Sequence, residues 1–344
     1  MDRGKALKVF AVGILAAIAL SSPPATAQDK KLVLRVAHQF SPSDTRYDVK
    51  PWMEQVTKAT DGEVQFEYYP AEQLGKAKDL LSLTQSGVAD IVLFVPSYVS
   101  DKMPLTAALE LPGLFTNACQ GTLAHWKLAK EGSILAQREY APNGVRVLFS
   151  IVTSPYHLIS AKNKIESLKD IEGMKVRVLA GAMELTLRKL KAVGVRMPGP
   201  ELFQALSRGT VDGVAFTYGA AVSPSYNLPA KYVTSGDSFG SAVLVFIISE
   251  NRWKQLPDSV KKAMAEAGEA AGRNLCAGID KQEAGDLEKL KQKGAAVVNW
   301  SAADKREMDA VTASVASEWA AELDKRGKPG SEVLKAVLEA RDSR

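Results

Sequence analysis

Apolar positions in this chain follow two rhythms. Residues 32–37 (LVLRVA) read as a strand, and 48–60 places Val49, Trp52, Met53, Val56 and Ala59 on one helical face. Asp61-Gly62 stops that helix. A second strand is predicted at 64–69, a short helix at 76–86 and an apolar strand at 90–95 (DIVLFV). Strand–helix–strand–helix–strand is the rhythm of a parallel α/β sheet.

The rhythm returns later. Strands are predicted at 145–150, 156–160, 175–179, 211–216 and 242–248, with helices at 182–193 and 201–207. The carboxyl part differs: 258–293 is nearly free of proline and rich in Ala, Lys and Glu. As one helix its 36 positions would span about 54 Å, with Gly268, Gly272, Gly278 and Gly285 as points where it is expected to break or bend. A strand at 297–298 and helices at 301–323 and 331–339 complete the pattern.

The first residues have another layout. Arg3, Lys5 and Lys8 precede an apolar run at 9–20, and Ala25-Thr26-Ala27 follows as an A-x-A site. The run is short for a membrane span, which needs about 20 residues. A secretory signal (1–27) cleaved after Ala27 is expected, leaving a periplasmic protein.

Composition and charge narrow the chemistry. The chain has 344 residues, 46% hydrophobic and 24% charged, which is ordinary for a globular protein of two domains. A net charge of +5 spread along the chain gives no nucleic-acid footprint. The three histidines and two cysteines show no metal-ligand spacing, and no phosphate-binding glycine motif or nucleophile elbow is present, so no cofactor and no catalytic site are expected. Ser259-Val260-Lys261-Lys262 matches a serine-acylase pattern, but its companion motifs are missing and it sits at a helix start. Spacing leaves open whether Cys119 and Cys276 pair.

What remains suggests binding. Arg177 lies inside a predicted strand between Val176 and Val178. A guanidinium there needs either a bidentate anion or an internal Asp or Glu, and the pattern alone leaves both open, with the internal pair the commoner outcome. Phe216 and Tyr218 end one strand and Tyr98 follows another, where open α/β sheets place ligands, although core packing explains such aromatics as well.

These residues, taken in order, resemble a known family. Gln73-Leu74-Gly75, Gly87-Val88-Ala89-Asp90-Ile91, Leu111-Pro112-Gly113-Leu114-Phe115, Asp170 to Arg177 (DIEGMKVR), Ala205 to Gly213 (ALSRGTVDG) and Asn251-Arg252-Trp253 are similar to successive segments of the solute receptors of tripartite ATP-independent periplasmic (TRAP) transporters, dicarboxylate-receptor type. The resemblance spans about residues 32–319. It implies a two-lobed α/β binding-protein fold: one lobe from 28–153 plus about 240–298, a second from 154–239, a long helix at 258–293 crossing both, and 299–344 packed upon them. It also implies a monomeric receptor that is not an enzyme, closes on an organic acid, and delivers it to a permease of one small and one large membrane subunit. Arg177 then holds the ligand carboxylate.

The departures point to the ligand. Phe216 stands where many sugar-acid and dicarboxylate receptors carry asparagine, and Tyr156 and His157 stand where a second arginine is common. Gly113 replaces a phenylalanine. One cation and more rings favour an aromatic or apolar monocarboxylate. An aliphatic keto or hydroxy acid, with His157 or Tyr156 bonding its extra oxygen, is the alternative, followed by a dicarboxylate. His38 and Phe239 complete the candidate binding set. A receptor for an ABC importer, a sensor receptor and a periplasmic enzyme acting on an organic acid are the competing readings.

Overall fold

The structure is a computed structural model that describes residues 31–179 and 181–343. The signal expected at 1–27 lies outside the described residues. Among the described residues no helix is long and apolar enough to cross a membrane.

The strands in chain order are β1 (Leu32–His38), β2 (Val64–Tyr69), β3 (Ile91–Phe94), β4 (Val145–Val152), β5 (His157–Ser160) and β6 (Lys175–Val178). They are followed by β7 (Val193–Arg196), β8 (Gly213–Phe216), β9 (Tyr232–Ser235), β10 (Val243–Ser249) and β11 (Ala296–Asn299). They build two lobes, one on a five-stranded sheet in the order β2-β1-β3-β10-β4 and one on a six-stranded sheet in the order β11-β9-β5-β8-β6-β7.

Both sheets are mixed, where the strand–helix rhythm predicts parallel ones. β1 runs parallel to β2 and β3, but β10 enters antiparallel between β3 and β4. It arrives from the other sheet and not through a packed helix, so the usual crossover geometry does not govern its direction. β5 is likewise antiparallel to β8 and β9. The helix expected at 182–193 ends at Lys189, and Val193 opens β7. Neither β9 nor the helix Ala118–Ala129 was expected from periodicity.

One boundary is corrected. The resemblance puts about 240–298 in the first lobe, with 258–293 crossing both, yet Ala296–Asn299 pairs in parallel with Tyr232–Ser235 at the edge of the second sheet. The long helix Asp258–Gln292 carries the chain across and delivers β11 there.

That helix is unbroken over 35 residues, about 52 Å. Two of its glycines do not bend it but let it pack. Gly268 and Gly272 lie one turn apart on the same face. A methyl group on Gly268 would collide with the Leu148 carbonyl oxygen, and one on Gly272 would sit 3.2 Å from the Ser150 carbonyl oxygen. Their absence lets the helix backbone lie directly on β4. The Asp280 carboxylate accepts from the backbone N–H of Ala118 (2.7 Å) and Cys119 (3.1 Å), capping the helix Ala118–Ala129. Cys119 and Cys276 are joined as a disulfide across 157 positions, which answers the pairing question the spacing left open. Near the far end, Arg46 donates to both oxygens of Asp286 at 2.8 Å, while the short helix Tyr218–Val222 of the second lobe packs on the same helix.

Besides the long helix, two short segments cross between the lobes, and these two pair with each other. Thr153 N–H donates to the Ala242 carbonyl (2.9 Å), Tyr156 N–H to Gly240 (2.7 Å) and Phe239 N–H to Tyr156 (2.9 Å). Gly240 takes φ 111°, and a side chain there would strike the Glu110 carbonyl oxygen, so only glycine fits this crossing.

The disulfide closes a long loop, and loop closure weighs mainly on the unfolded state. Replacing Cys119 and Cys276 together by serine is expected to cost about 2–4 kcal/mol in urea unfolding. Unchanged stability would mean the bridge does not form in the folded protein.

Candidate functional site

Arg177 sits in β6 with no solvent exposure. The neighbouring Val176 and Val178 turn into the apolar core, so the strand's alternation sets the guanidinium on the opposite side. Its Nε donates to the Met197 carbonyl oxygen at 3.0 Å. Its guanidinium carbon lies 5.5 Å from the Phe216 ring centroid. Nη1 and Nη2 are buried and have no hydrogen-bond partner within the protein. The internal Asp or Glu that the pattern left open is not bonded to it.

Near this guanidinium lies a small enclosed cavity of about 20 Å³, room for about one water. Six aromatic side chains line it: Phe40, Tyr47, Tyr98, Tyr156, Phe216 and Tyr226. Phe216 meets Tyr156 edge to face at 5.5 Å and Tyr226 at 4.9 Å, while Phe40 stacks on Tyr47 at 4.3 Å. Its polar members are Gln39, Thr153 and Thr217, and the described lining carries no acidic or basic side chain. Burial pushes the Tyr156 and Tyr226 hydroxyls up, against the pull of the Arg177 charge, so both stay neutral donors.

Both lobes contribute. Gln39 and Phe40 follow the carboxyl end of β1, Tyr98 follows β3, and Phe216 and Thr217 follow β8 or end it. Contacts reach across: Gln39 Nε2 donates to Tyr226 Oη (3.3 Å), and the Gly199 N–H donates to Tyr98 Oη (2.9 Å). On the outer side, Tyr98 and Leu179 also face a cleft of about 530 Å³ whose walls carry Lys78, Arg188, Arg196 and Arg326 beside Asp101, Glu184 and Glu322.

This cavity is walled by residues of both sheets, and against its Phe216 wall lies a buried cation whose Nη1 and Nη2 have no hydrogen-bond partner in the protein. A family model described as "Bacterial extracellular solute-binding protein, family 7" matches residues 36–323. The chain belongs to that family. It is a solute receptor of the TRAP type, not an enzyme, and it serves organic-acid capture for a membrane permease. The receptor is 25% identical over 335 residues to "Outer membrane transporter protein TsaT" of Comamonas testosteroni, covering 95% of each chain. A TRAP solute-binding protein of Rhodoferax ferrireducens T118, solved with copurified benzoate, superposes with a TM-score of 0.82 at 24% identity, covering 90% of this chain and 98% of that one. A marine metagenome TRAP protein "specific for aromatic acid ligands", solved with 3-hydroxybenzoate, gives a TM-score of 0.82 at 25% identity over the same shares.

Of the candidate set, Tyr98, Tyr156 and Phe216 line the cavity, and Arg177 lies against Phe216, its guanidinium carbon 5.5 Å from that ring. It places the other four elsewhere. His38 donates or accepts at Tyr68 Oη (2.7 Å) through Nε2 and accepts the Phe40 N–H at Nδ1 (3.1 Å). Burial, with Lys50 nearby, holds its pKa down at about 4, so it is a neutral core histidine. The His157 ring stacks on Tyr218 at 4.1 Å and shares a 2.8 Å hydrogen bond with Asp237, while Tyr218 Oη donates to the Thr234 carbonyl. Phe239 packs edge-on against Trp300. Gln39, Phe40, Tyr47, Thr153 and Tyr226 were missed. Gln39 and Phe40 carried a signal, since both lie just past the end of a strand. Tyr226 sits in a connecting segment that no pattern marks, and it approaches only because Gly199 has no side chain, as a Cβ there would lie 2.6 Å from Tyr226 Oη.

Glu110 stands where the crossing segments meet the site. It is buried, accepts from Ser97 Oγ and from the Val243 N–H (3.1 Å), and feels the charge of Arg177. Burial lifts its pKa from 4.5 to about 7. The folded protein therefore keeps this proton where the unfolded chain has lost it, and stability falls as pH rises from about 4.5 to about 7. Glu110→Gln is expected to flatten the fall over that window in pH-dependent urea unfolding. An unchanged profile would show that Glu110 titrates normally.

Proposed function

We propose that this receptor captures an aromatic or otherwise apolar monocarboxylate in the periplasm, with Arg177 as the carboxylate anchor. The observation that carries the reading is the pair of buried, unpartnered Arg177 nitrogens beside a cavity lined by rings and by no second cation. A carboxylate matches the guanidinium fork bidentately, and the ring walls take a planar body. A dicarboxylate would leave its second charge among neutral side chains, which is costly. The aromatic acids bound by the marine metagenome relative, at 25% identity, agree with this choice.

Capture works by differential binding. The cavity walls come from both lobes, so the anchor on β6 and the rings past β1 and β3 meet the ligand together only when the lobes are closed. The ligand then shifts the open–closed equilibrium by its extra affinity for the closed state. The lobes turn about the two short crossing segments near 152–157 and 239–243, with residues 31–153 and about 240–295 moving as one body and 154–239 with 296–299 as the other. Residues 1–27 direct export and are then removed, and the monomeric receptor hands its ligand to a permease of one small and one large membrane subunit.

Two measurements test the reading. Arg177→Ala is expected to abolish binding in calorimetry, and Arg177→Lys to weaken it about 10- to 100-fold, since the point charge keeps attraction but loses the fork. Near-normal affinity in Arg177→Ala would remove the anchor. Benzoate-class acids are expected to raise the melting temperature more than succinate or galactonate does. Stabilisation by dicarboxylates or sugar acids alone would overturn the ring-pocket reading.

A further inference from the structure

Gln39 is a second buried polar group at this cavity whose bonding the protein leaves unfinished. It is 7% exposed, lines the cavity, and donates through Nε2 to Tyr226 Oη at 3.3 Å. That bond turns the nitrogen toward Tyr226, and Oε1 is left buried with no hydrogen-bond partner. We propose that Gln39 Oε1 accepts a hydrogen bond from a hydroxyl on the ligand while Arg177 holds its carboxylate, so that the receptor selects hydroxylated aromatic monocarboxylates over unsubstituted ones. The inference rests on the monocarboxylate reading above and adds what the other end of the ligand carries.

The chemistry of the amide oxygen sets the class. It has two acceptor sites and no proton, so its complement is a donor. A second carboxylate, a nitro group or an ether offers only acceptors and would leave Oε1 opposed by like charge. An ammonium is a donor, but the described lining holds no acidic side chain to balance it, and Arg177 would repel it. A hydroxyl on a ring supplies the donor and keeps the ligand's charge at one.

Position adds a second reason. Arg177 belongs to β6 of the second sheet, and Gln39 follows β1 of the first. A ligand bearing both groups is held by both lobes. Its hydroxyl contact is made only in the closed form, so it adds to closure as well as to affinity. A site that hydrogen-bonds a hydroxyl rejects the analogue lacking it more strongly than an apolar wall does, because the site's own polar atom is then stranded.

Calorimetry on the purified receptor with benzoate, ortho-, meta- and para-hydroxybenzoate and the matching methoxybenzoates tests this. At least one hydroxybenzoate is expected to bind about tenfold or more tighter than benzoate, with no gain for its methoxy analogue. In Gln39→Leu the ratio of hydroxybenzoate to benzoate affinity is expected to shrink to about twofold or less. Benzoate binding as tightly as every hydroxybenzoate overturns the role of Gln39 and leaves the anchor and ring pocket standing. A methoxy gain equal to the hydroxy gain also overturns it, since the amide would then present its nitrogen. If no aromatic carboxylate binds while succinate or galactonate does, the monocarboxylate reading itself fails and takes this inference with it. The wild-type series decides the matter even if the variant does not fold.

Discussion

A guanidinium removed from water dominates this molecule. Arg177 is fully buried, one of its nitrogens is bonded to a backbone carbonyl, and the other two have no protein partner. An unpaired buried charge costs several kcal/mol, more than most single contacts return. Its neighbours offset that cost only in part: Phe216 offers a ring face, Tyr156 stays neutral beside it, and the charge is felt as far as Glu110. In the proposed capture, closing the lobes over Arg177 is favourable in proportion to what the anion contributes. The same constraint explains why the walls are rings and amides, since another cation would raise the cost and an acid of the chain would occupy the fork.

The surrounding fold gives that closure a fixed axis. Two crossing segments pair through backbone hydrogen bonds, and Glu110 ties one of them to the segment after β3. Gly240 allows the close approach. The helix Asp258–Gln292 is pinned to the first lobe by the Cys119–Cys276 bridge and the Asp280 cap, and it carries the second lobe's short helix near its other end. In the proposed closure the long helix and sheets stay rigid and the few residues of the crossings absorb the turn.

Much of the scaffold was legible before the structure. Strands at 32–38, 64–69 and 243–249 and the long helix appear within a residue or two of their predicted limits, because period 2 and period 3.6 patterns are local properties. The Gly268 and Gly272 pair was misread as a bend for a non-local reason: their value is contact with Leu148 and Ser150, far away in sequence. The mixed sheets were missed for the same reason, since the direction of β10 depends on where the chain returns from, not on its own residues.

The site divides along the same line. The sequence alone determined that one arginine stands in an apolar strand with aromatic residues at strand ends, that no metal or nucleotide motif accompanies it, and that the ordered segments match a receptor family. Alternation and motif spacing carry that information because they need no knowledge of distant partners. Only the tertiary structure decided that no acid is hydrogen-bonded to Arg177, that His38, His157, Tyr218 and Phe239 are committed to other partners, and that Gln39, Phe40, Tyr47 and Tyr226 share the cavity. Each of those outcomes depends on which groups two lobes bring within hydrogen-bond range, and segments up to 187 positions apart, such as Gln39 and Tyr226, meet only once the chain is folded.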